Sequence, residues 1–186
     1  MTTLVVAISG DEAWAGADQH VGLGGTKLPV QVEKFTPWNE VCVGFAGDAA
    51  LQSAVRRQRY EAHPKPNNMN QLCEYLREDV RKNLPSMPEN FEALAVARGQ
   101  IWHIDSNFDA IALCTSAYAV GSGADFALGS LFHTTGLNPE RRVRSALQAA
   151  AHHDSATDDR HVLWKWSGSK WERRPTATAP EARTGA

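Results

Sequence analysis

Met1 precedes Thr2, whose side chain is small enough for methionine removal to be generally permitted. A threonine at a free N-terminus carries its own base. Its α-amino group titrates near about pH 7.7–8.0, so at neutral pH an appreciable fraction can accept the proton of the same residue's hydroxyl. The chemistry open to such a residue is acyl transfer, with the hydroxyl as nucleophile and the amine as general base. Alone, a Met-Thr start says little, because it also reads as the frayed start of a first strand. Two charged residues keep it company. Asp18 falls where the second strand of a first hairpin ends, beside the start of the first strand. Lys34 lies in Val32-Glu33-Lys34-Phe35, where strand alternation puts it on the face of Val32. A partly buried lysine near the hydroxyl lowers the nucleophile's pKa, and a carboxylate holds that lysine charged and oriented. Either residue by itself reads first as a solvated charge at a strand end.

The elements that must position these groups follow from pattern. Thr3–Ile8 is a β-rich apolar run, Ser9-Gly10-Asp11-Glu12 a turn, and Ala13–Ala17 its returning strand. After a glycine-rich loop (Gly22, Gly24, Gly25), a third strand is expected over Val30–Phe35, closed by Thr36-Pro37-Trp38-Asn39. A fourth spans Val41–Phe45. Helical spacing predicts one helix from Ala49 to about Glu61 and another over Met69–Asn83, ended by Pro85 and Pro88. Strands return at Glu92–Ala97, Ile101–Asp105, Ile111–Leu113 and Tyr118–Val120. Two more helices are expected, Asp125 to about His133 and, capped by Asn138 with Pro139 in the first turn, Glu140 to about Ala151. A hairpin of His161–Trp166 and Lys170–Arg174 closes the order. Strands and helices arrive in blocks, which disfavours a parallel doubly wound sheet. The expected architecture is α+β, a four-layer αββα sandwich of two antiparallel sheets flanked by helices. Residues 1–174 read as a single domain, and 175–186, rich in Pro, Thr and Ala, as a disordered tail.

Composition bounds the function. With 42% hydrophobic and 22% charged residues, the 186-residue chain is an ordinary globular domain with a full core. A formal net charge of −2 supplies no basic field for nucleic acid or anionic membrane. No apolar run approaches the roughly 18–20 residues of a membrane span, and no signal segment opens the chain. Cys42, Cys73 and Cys114 are odd in number and lack a CxxC spacing, so each reads as a small core residue in a reducing, cytoplasmic setting.

Five segments in order change the weight of Thr2. Thr2-Thr3-Leu4-Val5-Val6, Ala15-Gly16-Ala17-Asp18, Val32-Glu33-Lys34, Val43-Gly44-Phe45-Ala46-Gly47 and Val120-Gly121-Ser122-Gly123 resemble the successive signatures of proteasome β-type peptidases. Within that group of N-terminal-nucleophile (Ntn) hydrolases, the likeness is to the bacterial peptidase that works with an AAA+ unfoldase, and to its small proteasome-homologue relatives. It runs from about Thr2 to Thr157. The resemblance implies a threonine-type endopeptidase with Thr2 as nucleophile and, through its amine, as base. Lys34 would tune the hydroxyl, Asp18 would hold Lys34, and the backbone N–H of Gly47 would serve the oxyanion. Ser122 would hydrogen-bond the amine, and Asp154 with Thr157 would complete the amine's surroundings. The substrate pocket would lie beside Gly44 and include Val21, Val32 and Gln52. The resemblance further implies a homo-oligomeric ring, single or double, with sites facing an inner chamber, a peptide or unfolded-protein substrate, and no cofactor. It also raises an AAA+ unfoldase partner. The segment after Trp171, however, is longer and differently composed than the short C-terminus with which that family engages its unfoldase.

Other residues read more plainly. His152 and His153 lack ligand partners at metal spacing, so no metal site is expected. Asp158 and Asp159 read as a solvated turn, and Trp164, Trp166 and Trp171 as a packed or subunit-facing hairpin. Two other functions stay open, a small-molecule amidase with the same nucleophile and a non-catalytic ring scaffold. The joint presence of Thr2, Asp18, Lys34 and Ser122 disfavours the scaffold.

Overall fold

The computed structural model describes residues 2–23, 26–28, 32–47, 51, 66, 68–88 and 90–174. Strand β1 (Thr3–Ser9) is apolar without alternation because both of its faces are covered. Leu4 and Val6 pack against a second sheet, whereas Val5 and Ala7 pack against helices. It pairs with β2 (Glu12–Asp18) across the turn at Gly10, whose φ of 54° is one that glycine adopts without strain. The glycine-rich loop adds a backbone ladder of β3 (Gly22–Leu23) and β4 (Thr26–Lys27), which pattern did not reveal.

The third long strand differs from expectation. It is β5, Phe35–Trp38, and residues 32–34 precede it outside any strand. Pro37, read as part of the closing turn, sits in the strand because β5 is the edge of its sheet, where a missing N–H breaks no ladder. Val30 and Gln31 lie outside the described residues. The turn falls at Asn39, with φ 55°, and β6 (Val41–Gly47) follows. Of the helix expected over Ala49–Glu61, only Leu51 is described; it is helical and fully buried. The tail expected over 175–186 also lies outside the described residues.

Helix α1 spans Met69–Asn83, with Asn68 capping it by accepting the Gln71 N–H at 2.9 Å. Its Leu72, Cys73, Leu76 and Val80 cover the outer face of the second sheet. That sheet runs β5-β6-β7-β8-β9, with β7 Phe91–Ala97, β8 Gln100–Ile104 and β9 Ala110–Leu113. The first sheet runs β10-β1-β2-β11-β12, with β10 Ala117–Gly121, β11 His161–Trp166 and β12 Trp171–Arg174. Helices α2 (Ala124–His133) and α3 (Pro139–His153) cover its outer face. Gly16 lets α3 approach: a Cβ there would stand 2.5 Å from the Leu163 side chain and 2.6 Å from that of Val143. The layers are therefore helix, sheet, sheet, helices, the αββα sandwich that the block order predicted. Cys42 and Cys73 are buried as expected, but Cys114 is exposed because it follows the end of the edge strand β9.

Candidate active site

One end of the sandwich gathers the sequence-named residues. Thr2 precedes β1 and, by strand parity, shares the inter-sheet face of Leu4 and Val6. It is 7% exposed, and its carbonyl accepts the Ser122 N–H at 2.9 Å. Gly121 lies opposite Thr3 in the ladder with φ 97°. A Cβ on Gly121 would overlap the Thr2 carbonyl, so the close approach and the backbone conformation both need glycine. Gly121→Ala is therefore expected to displace Thr2 and to cost more than about 2 kcal/mol, read by denaturant unfolding. An unchanged midpoint with unchanged reactivity at Thr2 would contradict this geometry.

Asp18 and Lys34 form a buried ion pair, at 0% and 3% exposure. Lys34 Nζ donates to both carboxylate oxygens, at 2.9 and 2.8 Å. The same oxygens accept the backbone N–H of Thr3 at 2.7 Å and of His20 at 2.8 Å. One carboxylate thus ties the lysine to the residue next to Thr2. Burial pulls the Lys34 amine below the usual lysine range, with Asp18 and then the Asp158 charge working against that.

A second network sits on the other side of β1. The Gly123 N–H donates to Thr3 Oγ1 at 3.1 Å, which lies 2.6 Å from Thr157 Oγ1. Thr157 in turn donates to Asp154 Oδ2 at 2.7 Å, and Ser122 Oγ donates to the same oxygen at 2.6 Å. Asp154 is the C-cap of α3, so this helix end fixes both hydroxyls. Burial pushes the Asp154 carboxyl up, but bonds from Ser122, Thr157 and the Ala156 N–H outweigh it and hold the carboxyl below its usual value. A depressed carboxylate stabilises the fold above its unfolded pKa of about 3.9 and loses that contribution as pH falls through the lower folded value. Wild type should therefore lose more stability than Asp154→Asn on acidification below about pH 4, measured by unfolding midpoints. Parallel acid profiles for the two proteins would remove Asp154 from the linkage.

Of these residues Thr2, Gly121 and Ser122 line a cavity of about 570 Å³, together with Gly47, Glu92 and Ser106 among others. Gly47 ends β6 with φ 122°. A more enclosed cavity of about 270 Å³ lies at the other end of β6, lined by Trp38, Met69, Leu72, Arg98 and Trp102. Its lining includes the Arg98–Glu40 ion pair but, among the described residues, no serine, threonine or cysteine. Val21 and Val32 are half-buried and do not line that cavity; Gln52 lies outside the described residues. Gly44 faces Phe35, where a Cβ would stand 2.7 Å from the ring.

No family model matches the chain. The ATP-dependent protease subunit HslV of Aquifex aeolicus (strain VF5) is 29% identical over 169 residues, covering 87% of this chain and 96% of its own. In sequence, the chain is similar to that HslV subunit. The structural likeness is to eukaryotic HslV from Trypanosoma brucei, at TM-score 0.71 and 20% identity over 88% of this chain and 98% of that one. Thiobacillus denitrificans BPH in complex with epoxomicin reaches TM-score 0.77 at 18% identity, over 90% of this chain and 99% of that one.

The fold brings Thr2, Asp18, Lys34, Gly47, Ser122, Asp154 and Thr157 to one end of the sandwich. Three participants there were not named from sequence. Thr3 supplies a backbone donor to Asp18 and a hydroxyl to Thr157; its place beside Thr2 was the available signal. Asp158, expected in a solvated turn, is 2% exposed, pairs with Arg160 at 2.7 Å and bears electrostatically on Lys34. His161 lies opposite Asp18 in the ladder, and burial holds its imidazole below the usual range. Asp159 is exposed, as a turn residue should be. Among the described residues no group of His, Cys, Asp and Glu is arranged to hold a metal ion.

Proposed function

We propose that the protein is a threonine-type endopeptidase that hydrolyses peptide bonds through Thr2, freed by loss of Met1, inside a self-compartmentalised ring of identical chains. The observation that carries this reading is the buried Asp18–Lys34 pair hydrogen-bonded to the Thr3 N–H, one residue from a hydroxyl at the wall of a 570 Å³ cavity.

The steps follow from these groups. The Thr2 hydroxyl proton passes to the Thr2 amine while Oγ1 bonds to the substrate carbonyl carbon. Negative charge then develops on the carbonyl oxygen, and the Gly47 N–H is the donor assigned to it. Lys34 lowers the cost of the developing alkoxide, and Asp18 holds the amine of Lys34 in place. As the C–N bond breaks, the Thr2 ammonium returns its proton to the leaving amine and an ester on Thr2 remains. Water, deprotonated by the same amine, attacks that ester and regenerates the hydroxyl. Ser122, held by Asp154, is the hydroxyl assigned to orient the amine.

A ring makes physical sense for this chemistry, since an unspecific peptidase is harmless only when folded proteins cannot reach it. The likeness to an ATP-dependent protease subunit supports an AAA+ unfoldase as the class of partner that would deliver unfolded chains, against which stands the unusual segment after Trp171. No helix among the described residues is long and apolar enough to cross a membrane. The assay is hydrolysis of peptidyl-coumarins and of an unfolded protein, with native mass spectrometry of the same sample. Coumarin release by a species of several identical chains is expected. Cleavage confined to a small amide, with both peptidyl-coumarins and unfolded protein untouched, would shift the reading to an amidase.

A further inference from the structure

Arg142 is 7% exposed at the end of the molecule opposite Thr2. Of the five N–H donors of a guanidinium, Nη1 donates to Ser116 Oγ at 3.0 Å and Nη2 to the Leu131 carbonyl at 3.3 Å. Its Nε–H has no acceptor. Among the described residues no carboxylate pairs with it, and burial alone draws its pKa down, unopposed by any neighbouring negative charge. A buried cation without a counter-charge is costly. The sequence can place an apolar residue here, since the neighbours Val143, Ala146 and Leu147 on α3 all pack into the core.

Arg142 is among the residues that line a cavity of about 450 Å³. Ser9, Ser116 and Thr135 line it too, with the Ser116 hydroxyl accepting from Arg142 and that of Thr135 donating to the Phe132 carbonyl at 2.7 Å, and the turns at Gly10 and Gly99 close one side. Those turns belong to different sheets and abut, a Cβ on Gly99 standing 3.7 Å from the Gly10 carbonyl. Pro139 places the first turn of α3, whose dipole favours negative charge, at the same wall. Arg142 is the only charged residue among those that line it.

We propose that this cavity binds a tetrahedral oxyanion of the phosphate or sulfate class, carried by a small molecule, with Arg142 as its counter-charge. Ser9 at the end of β1, Ser116 just before β10, Thr135 in the α2–α3 loop and Arg142 on α3 bring polar groups from four segments to one cavity, which suits an anion of three or four oxygens. The volume leaves room for a compact organic group beyond the anion. The site does not depend on the peptidase reading, because it shares no residue with the cavity at Thr2.

The test is calorimetric titration of inorganic phosphate, and separately sulfate, acetate and chloride, into the assembled protein at constant ionic strength. Melting midpoints are recorded with and without phosphate. Saturable binding of one phosphate per chain is expected, with Kd below about 1 mM, and acetate and chloride weaker. Arg142→Met should weaken phosphate at least tenfold and, in phosphate-free buffer, melt no lower than wild type, because it removes an uncompensated buried charge. Ser116→Ala should weaken phosphate more modestly in a protein of wild-type stability. Absent or non-saturable binding in wild type overturns the proposal. So does an Arg142→Met protein that is destabilised equally with and without phosphate, since Arg142 would then be satisfied within the protein or by another copy of the chain.

Discussion

Lys34→Met should reduce peptide hydrolysis by about 10²–10³-fold, the range of a lost preorganised electrostatic group. It removes the only side chain among the described residues that bonds both oxygens of Asp18, a carboxylate with no solvent exposure. What remains for that charge is the Thr3 and His20 N–H groups. Breaking a buried pair from one side costs about 3–5 kcal/mol, so the variant is expected to melt well below wild type. Chemistry and folding separate in the readout: the variant is assayed far below its own midpoint, where it is folded, and its rate of modification by a peptidyl epoxyketone is compared with wild type. A folded Lys34→Met protein with wild-type turnover would remove Lys34 from the mechanism. Asp18→Asn removes the carboxylate that accepts from Lys34 Nζ and from the Thr3 and His20 N–H groups, so it too should melt below wild type, and it should slow turnover by freeing the Lys34 amine to move.

Thr2→Ala should abolish turnover, a loss of at least about 10³-fold, while leaving the fold intact. The side chain lies at a cavity wall and the backbone contact to Ser122 does not involve it. Thr2→Ser is the informative partner. It keeps both the hydroxyl and the amine, so its rate should fall by no more than on the order of tenfold. Equal loss in both variants would mean that packing of the Thr2 methyl, and not its oxygen, is what the site needs.

Much of this arrangement was legible in the residues. The β1–β2 hairpin follows from a Gly-Asp turn between apolar runs, and α1 from five apolar residues at helical spacing ended before Pro85. Because the hairpin returns the chain to its start, Asp18 had to come beside Thr3. The misplaced third strand has a local cause: Pro37 reads as a turn residue, and only the sheet order reveals that it occupies an edge. Lys34 therefore reaches Asp18 from the segment before β5, and not from within a strand. Asp158 shows a different limit. A carboxylate beside Asp159 and Arg160 looks solvated, and its burial arises from contacts distant in the chain. Arg142 sits on an otherwise ordinary amphipathic helix, and nothing in its spacing distinguishes it from the exposed Arg141 beside it.

The central claim is that Thr2 is a free N-terminal nucleophile. Intact mass of the purified protein, before and after reaction with a peptidyl epoxyketone or boronate, tests it most directly. The expected result is a chain lacking Met1 that gains one inhibitor mass, mapped to Thr2 and absent from Thr2→Ala. A chain that retains Met1 and takes up no inhibitor would contradict it.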